Sequence, residues 1–167
     1  MFDKILQRIR QKIGAQQYVR TLHAKEEMED DGLTIYDIEQ GIMTGEVLER
    51  QKDRATSEPK YRIRGETVGG GEVEIIAKLS LTYTLKPRKC QMVCHYCRKE
   101  GVQNRRITRT YGKGEDLLVI ENIPVVSCPN CGERYLTAAT LHEIERIKLQ
   151  RKTLAVERLV EVASFPL

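Results

Sequence analysis

The chain has 167 residues, 40% of them hydrophobic and 31% charged, with a formal net charge of +4. That composition fits a soluble globular protein of one domain or two small ones, and no run approaches the roughly 20 apolar residues of a membrane-spanning helix. Five cysteines follow an N-terminus that scatters Asp3, Lys4, Arg8, Arg10 and Lys12 among its apolar residues; this argues against a signal peptide and a disulfide scaffold, so metal or redox chemistry in the cytoplasm is expected.

Phe2, Ile5, Leu6, Ile9 and Ile13 fall on one stripe of a helix that Gly14 ends. A second helix is expected from Thr21 or His23 to about Asp31, stopped by Gly32. Thr34 is a suitable N-cap, and Asp37 a favourable first-turn charge, for a third helix ending at Gly45. The period then changes to that of extended structure. Strands are expected at 47–50, 61–64 and 73–79, with a turn at 68–71 and a possible fourth strand at 81–85 before Pro87. Helices followed by a meander give an α+β unit over 1–86 in which an antiparallel sheet buries one face on the helices. An extended pair at 105–111 and 117–120, joined by Gly112-Lys113-Gly114, belongs to a second unit over 87–140. A C-terminal amphipathic helix is expected over 141–167, with Leu141, Ile144 and Ile147 on one stripe and Val156, Leu159, Val160 and Ala163 on another.

Cys94-His95-Tyr96-Cys97 and Cys128-Pro129-Asn130-Cys131 carry the strongest chemical signal. Two residues between cysteines let both thiolates of a turn face one centre, and two such turns supply the four sulfurs of a tetrahedral zinc site. The intervening hairpin accounts for the length of the gap. One structural Zn2+ per chain is expected on Cys94, Cys97, Cys128 and Cys131. Four thiolates close the coordination shell and leave no position for catalysis. Gly132 suits the left-handed turn of the second knuckle. Cys90 reads as a free thiol, and His95 and His142 as solvent-facing. A rubredoxin-type iron site is the competing assignment, opposed by the absence of Trp and by Arg98 after the first knuckle.

Charge is concentrated around the first cysteine pair. Residues 86–113 hold nine basic side chains and one acidic. Arg88, Lys89, Arg105, Arg106 and Arg109 are the candidates for a surface that meets RNA, DNA or an acidic protein; compensation of a negatively charged metal-thiolate centre is the other explanation.

Residues 94–144 resemble the YgiT-type zinc finger of MqsA-family antitoxins. The carrying residues are Cys94-x-x-Cys97, Val119-Ile120-Glu121-Asn122-Ile123-Pro124-Val125, and Cys128-Pro-Asn-Cys-Gly-Glu-Arg-Tyr135-Leu136. The resemblance implies a structural zinc and contact with a toxin partner, while too few residues follow for that family's DNA-binding helix-turn-helix. Residues 19–86 resemble the Domain of Unknown Function 4258 family, grouped with RelE-like toxin folds. This similarity rests on His23-Ala24-Lys25-Glu26-Glu27-Met28-Glu29-Asp30-Asp31-Gly32-Leu33-Thr34, on Asp37-Ile38 and Gly45-Glu46-Val47-Leu48-Glu49, and on Tyr61-Arg62-Ile63-Arg64-Gly65. A RelE-like ribonuclease needs basic and phenolic groups around the scissile phosphate, a role that His23, Arg62, Tyr61, Tyr83 and Lys86 could fill. The chain has Glu27 where members carry Arg, and Glu72 and Val73 around the place of a strand His. The two resemblances imply a non-enzymatic, zinc-binding protein of toxin-antitoxin type with a protein partner or a second copy of itself; a metal-independent endoribonuclease and a basic nucleic-acid-binding module are the alternatives.

Overall fold

The computed structural model describes residues 2–54, 57–79 and 93–161. The expected strand at 81–85, together with Tyr83, Lys86, Arg88, Lys89 and Cys90, lies outside the described residues.

Helix α1 (Asp3–Gly14) buries Leu6, Ile9 and Ile13, the stripe its spacing foretells. Strand β1 (Val19–Thr21) leads into α2 (Leu22–Asp30), where the Thr21 hydroxyl accepts the Ala24 amide at 3.2 Å as N-cap. Helix α3 (Ile35–Thr44) starts in a capping box: Thr34 Oγ1 accepts from the Asp37 amide at 3.3 Å, and Asp37 Oδ2 accepts from the Thr34 amide at 2.9 Å. The other end of α3 is held by α1, since Arg10 donates from Nε to the Ile42 carbonyl at 3.1 Å and from Nη2 to the Gly45 carbonyl at 2.7 Å. A cation there meets the negative end of the helix dipole.

Strands β2 (Glu46–Lys52), β3 (Pro59–Glu66) and β4 (Glu72–Lys78) form an antiparallel meander of order β2-β3-β4. Tyr61, Ile63 and Gly65 of β3 face inward, and Ile63 is 0% exposed. Tyr61 and Ile63 pack with Leu6, Ile9 and Ile13 of α1 and Ile42 of α3 in one core.

Strands β5 (Gln103–Tyr111), β6 (Leu118–Ser127) and β7 (Arg134–Thr137) build the second sheet, and β1 completes it in the order β1-β7-β6-β5. That sheet takes strands from both sides of residue 86. Helix α4 (Ala138–Leu149) follows β7 directly, capped by Thr137, and packs Leu141 and Ile144 on Ile120, Ile123, Val125 and Leu136. Ile35 of α3 enters the same core, and the Tyr18 ring touches both cores. A single turn, α5 (Arg151–Leu154), follows.

The α+β class, the N-terminal helices, the meander and the hairpin between the two cysteine pairs are as the sequence indicates. The expected helix does not continue, however: residues 155–161 are non-helical, with Val156 81% exposed. A short helix with no surface to pack on is marginal in water. None of the helices among the described residues is long and apolar enough to cross a membrane.

Candidate metal centre

The four sulfurs of Cys94, Cys97, Cys128 and Cys131 lie within 4.8 Å of one another. Cys94 Sγ is 3.8 Å from Cys131 Sγ, and Cys97 Sγ is 3.6 Å from Cys128 Sγ. Thiolates about 2.3 Å from a tetrahedral metal are separated by about 3.8 Å, so the site needs only small closure to hold one ion.

Two similar knuckles produce this geometry. In the first, the Cys94 amide donates to the Lys99 carbonyl at 2.9 Å and the Arg98 amide to the Cys94 carbonyl at 3.1 Å. In the second, the Cys128 amide donates to the Glu133 carbonyl at 2.9 Å and the Gly132 amide to the Cys128 carbonyl at 3.0 Å. Both turns need a left-handed residue at the fifth place, filled by Gly132 at φ 76° and by Arg98 at φ 65°. Amides aimed at the sulfurs favour the thiolate. Burial raises the Cys128 thiol, but the Cys131 and Asn130 amides, together with the Cys131 and Cys94 side chains, bring it down to about 6. Burial pushes Cys131 up to about 12, with neighbouring sulfurs adding to the rise. Four sulfurs converging on one point are a site shaped for a cation.

The first knuckle is tied to the three-stranded sheet. Arg98 Nη2 meets Glu58 Oε1 at 2.7 Å, Lys78 Nζ meets Glu58 Oε2 at 2.7 Å, and the same ammonium lies 5.4 Å from the centroid of Tyr96. This contact accounts for an arginine where the backbone favours glycine. The Lys78 hydrogen bond, and then Arg98, hold the Glu58 carboxyl below the usual carboxylate range against the opposing effect of burial. A depressed carboxylate contributes stability above its unfolded pKa, lost as pH falls through the folded one. Glu58→Gln should therefore lower stability by about 1–2 kcal/mol at neutral pH. The difference should begin to shrink near the unfolded carboxylate pKa of about 4.3 and be lost as the pH falls through the depressed folded value, as checked by denaturant titrations from pH 7 downward.

The other sequence-derived residues are dispersed. His23 on α2 is 80% exposed and pairs with Glu27 at 3.2 Å. Arg62 on β3 lies between Glu49 at 3.3 Å and Glu74 at 3.4 Å. Tyr61 is a core residue, edge-on to Phe2. Arg109 is engaged by Glu26, and Arg106 donates to the Asn122 carbonyl at 3.1 Å; Arg105 is exposed on β5.

His95 and His142 are not solvent-facing as expected. His95 packs edge-on against Tyr135, with its pKa lowered by burial and then by the Arg98 charge. His142 Nε2 lies 2.9 Å from Glu39 Oε1, which also accepts the Tyr18 hydroxyl at 2.6 Å. Glu39 of α3 therefore ties α4 and Tyr18, the residue just before β1, together through two polar contacts.

A buried charge cluster gave no signal in the sequence pattern. Lys25 is 2% exposed, pairs with Glu29 and lies 4.7 Å from the Tyr111 ring centroid. Lys148 approaches the same ring at 4.9 Å and bonds Glu145 at 3.1 Å. Burial lowers the pKa of Lys25 and that of Arg20, the latter to about 10. The cluster places charges from α2, β1 and α4 around one aromatic ring of β5. The i, i+4 spacing of Lys25 and Glu29 is that of an ordinary solvated pair; packing against Tyr111 and α4 buries Lys25.

Comparison with known proteins adds one positive finding. The family model described as Domain of unknown function (DUF4258) matches residues 21–111. No curated protein and no solved structure matches the chain. The matched segment spans α2 through β5, more than half of the chain, and the protein belongs to the DUF4258 family.

Proposed function

We propose that the protein is a non-enzymatic, zinc-binding member of the toxin-antitoxin type, in which an antitoxin-like ribbon is docked in cis on a RelE-like unit. The observation that carries this reading is strand addition: β7 of the ribbon pairs with β1 over Val19↔Thr137, Arg20↔Leu136 and Thr21↔Tyr135. Contacts of His142 with Glu39 and of Arg98 with Glu58 extend the joint at two further places. The metal is assigned as structural zinc because four cysteines close a tetrahedral shell. The resemblance of residues 94–144 to the YgiT-type finger rests on its residues alone.

Catalysis is set aside on charge. On the outward face of the meander Arg62 and Arg64 are each paired with Glu74, and Glu49 and Glu72 add further carboxylates. RNA phosphates would meet as much repulsion as attraction there. The full chain is expected to leave RNA intact. Cleavage that disappears in His23→Ala or Arg62→Ala would instead establish the endoribonuclease. Docking in cis is tested by a protease site placed within residues 80–92. After cutting, the two pieces should co-migrate on gel filtration while metal is bound; separation would overturn the reading.

One observation favours a second reading. Arg105 and Arg106 line a cleft of about 370 Å³ with Asn104, Thr137 and Thr140, a place where a nucleic-acid backbone could lie. That reading requires RNA or DNA affinity falling steeply with salt.

A further inference from the structure

Among the described residues the two sheets end in four edge strands, β1, β5, β2 and β4. The outer side of an edge strand is a row of backbone donors and acceptors that can pair with another chain unless something blunts it. Three of the four are blunted. Strand β1 has three residues, β2 carries a bulge at Val47/Glu49, and β5 carries a bulge at Ile107/Arg109 and three arginines. Strand β4 has none of these devices. Its seven residues, Glu72-Val-Glu-Ile-Ile-Ala-Lys78, run in unbroken register along β3. Ile76 is 54% exposed on its outward face, and Ile75 and Ala77 on its inward face are only half-buried.

We propose that β4 pairs antiparallel with β4 of a second copy of this chain about a two-fold axis at Ile75, joining the two meanders into one sheet. Charge selects this occupant. The β3–β4 register sets Glu72 directly opposite Glu66 at one end and Lys78 directly opposite Lys60 at the other, and like charges so placed destabilise a ladder. Neighbours compensate only in part. Glu58 is a single carboxylate shared by Lys78 and Arg98, while Glu49, Glu72 and Glu74 share Arg62 and Arg64. The two ends of β4 therefore carry opposite excess charge. A two-fold axis at Ile75 sets Glu72 opposite Lys78 of the other copy, twice, with Val73 opposite Ala77 and Ile75 opposite Ile75. Residues directly opposite share a face, so the charges meet outside and the aliphatic side chains inside. A parallel pair would set Lys78 beside Lys78. Self-complementarity of this kind is what an isologous interface requires. The chain's own next segment is the less suitable occupant, since residues 73–86 contain no Gly, Pro, Asn or Asp at which to turn back along β4.

Sedimentation of the full, metal-loaded chain up to about 100 µM tests the proposal on the micromolar affinity scale. A dimer is expected, and amide exchange of residues 72–78 should slow as the concentration rises. Glu72→Lys should weaken association about tenfold. It should leave metal content and the melting temperature of the dilute chain unchanged, because Glu72 is 68% exposed and Arg64 keeps Glu74 at 3.0 Å. Added salt should weaken the wild-type dimer and strengthen that of Glu72→Lys, screening attraction in one and repulsion in the other. A wild-type chain that stays monomeric overturns the proposal, as does a dimer that Glu72→Lys leaves unchanged. Protection of 72–78 that is the same at every concentration would mean that another segment of the same chain holds the edge, and overturns it as well.

Discussion

Stripping the metal is expected to dissolve both cysteine knuckles and release the ribbon from the meander. Among the described residues, the core at the centre has, besides Cys94 and Cys128, only Val102 and Tyr135 as buried residues. Apolar burial at roughly 1.5–3 kcal/mol per large side chain cannot replace a structural metal, whose apparent contribution is about 10–16 kcal/mol. The loss should propagate along named contacts. Tyr135 packs on His95 and pairs with Thr21 in the β1–β7 ladder, while Tyr96 and Arg98 are the residues that reach Lys78 and Glu58. The hairpin core around Ile120, Ile123 and Val125, covered by α4, should persist because it contains no cysteine. Cys94→Ser and Cys128→Ser should each lose the ion, whereas Cys90→Ser should retain it. Native mass spectrometry reads the metal count, and hydrogen exchange reads the order of segments 93–100 and 127–134. Unchanged exchange there after chelation would mean that the cysteines need no ion to hold their geometry.

Local signals made the first half of this fold readable. The Leu6, Ile9, Ile13 stripe, the Thr34–Asp37 box and the Tyr61, Ile63 alternation each fix an element through its nearest neighbours in sequence. The cysteine centre was legible for the same reason, since ligand spacing within each knuckle is a local property. Strands β1 and β7 were not legible. With three and four residues they are too short for a period-two pattern, and they exist because each supplies the other's hydrogen bonds across more than 110 positions of chain. Burial of Lys25 and Glu145 was hidden similarly, because charged residues on a helix carry no mark of the aromatic ring they will meet. The segment beyond α5 shows the converse. Its helical periodicity is genuine, but a periodicity becomes a helix only when something covers its apolar face.

Gly65→Ala should be among the most damaging single substitutions outside the metal site, although it adds one methyl group. A Cβ at Gly65 would lie 1.9 Å from the Gly41 carbonyl oxygen, 2.7 Å from its carbon and 2.9 Å from its Cα. All three are backbone atoms of α3, so no rotamer change relieves the clash; the helix itself must move away from β3. That movement is opposed at both ends. Arg10 holds the Ile42 and Gly45 carbonyls at the C-terminus of α3, and Ile35 is anchored in the second core at its start. Glu39, midway along, would also be drawn from His142 and Tyr18. Overpacking against fixed backbone should cost about 3 kcal/mol or more. Gly41→Ala should cost less, because its Cβ would meet the side-chain tips Val73 Cγ1 at 2.5 Å and Ile75 Cδ1 at 2.9 Å, which can rotate. Denaturant midpoints for the two variants should therefore fall in the order wild type, Gly41→Ala, Gly65→Ala. The reverse order would mean that β3 yields more readily than the side chains of β4, and that α3 is not the rigid spacer between the two cores.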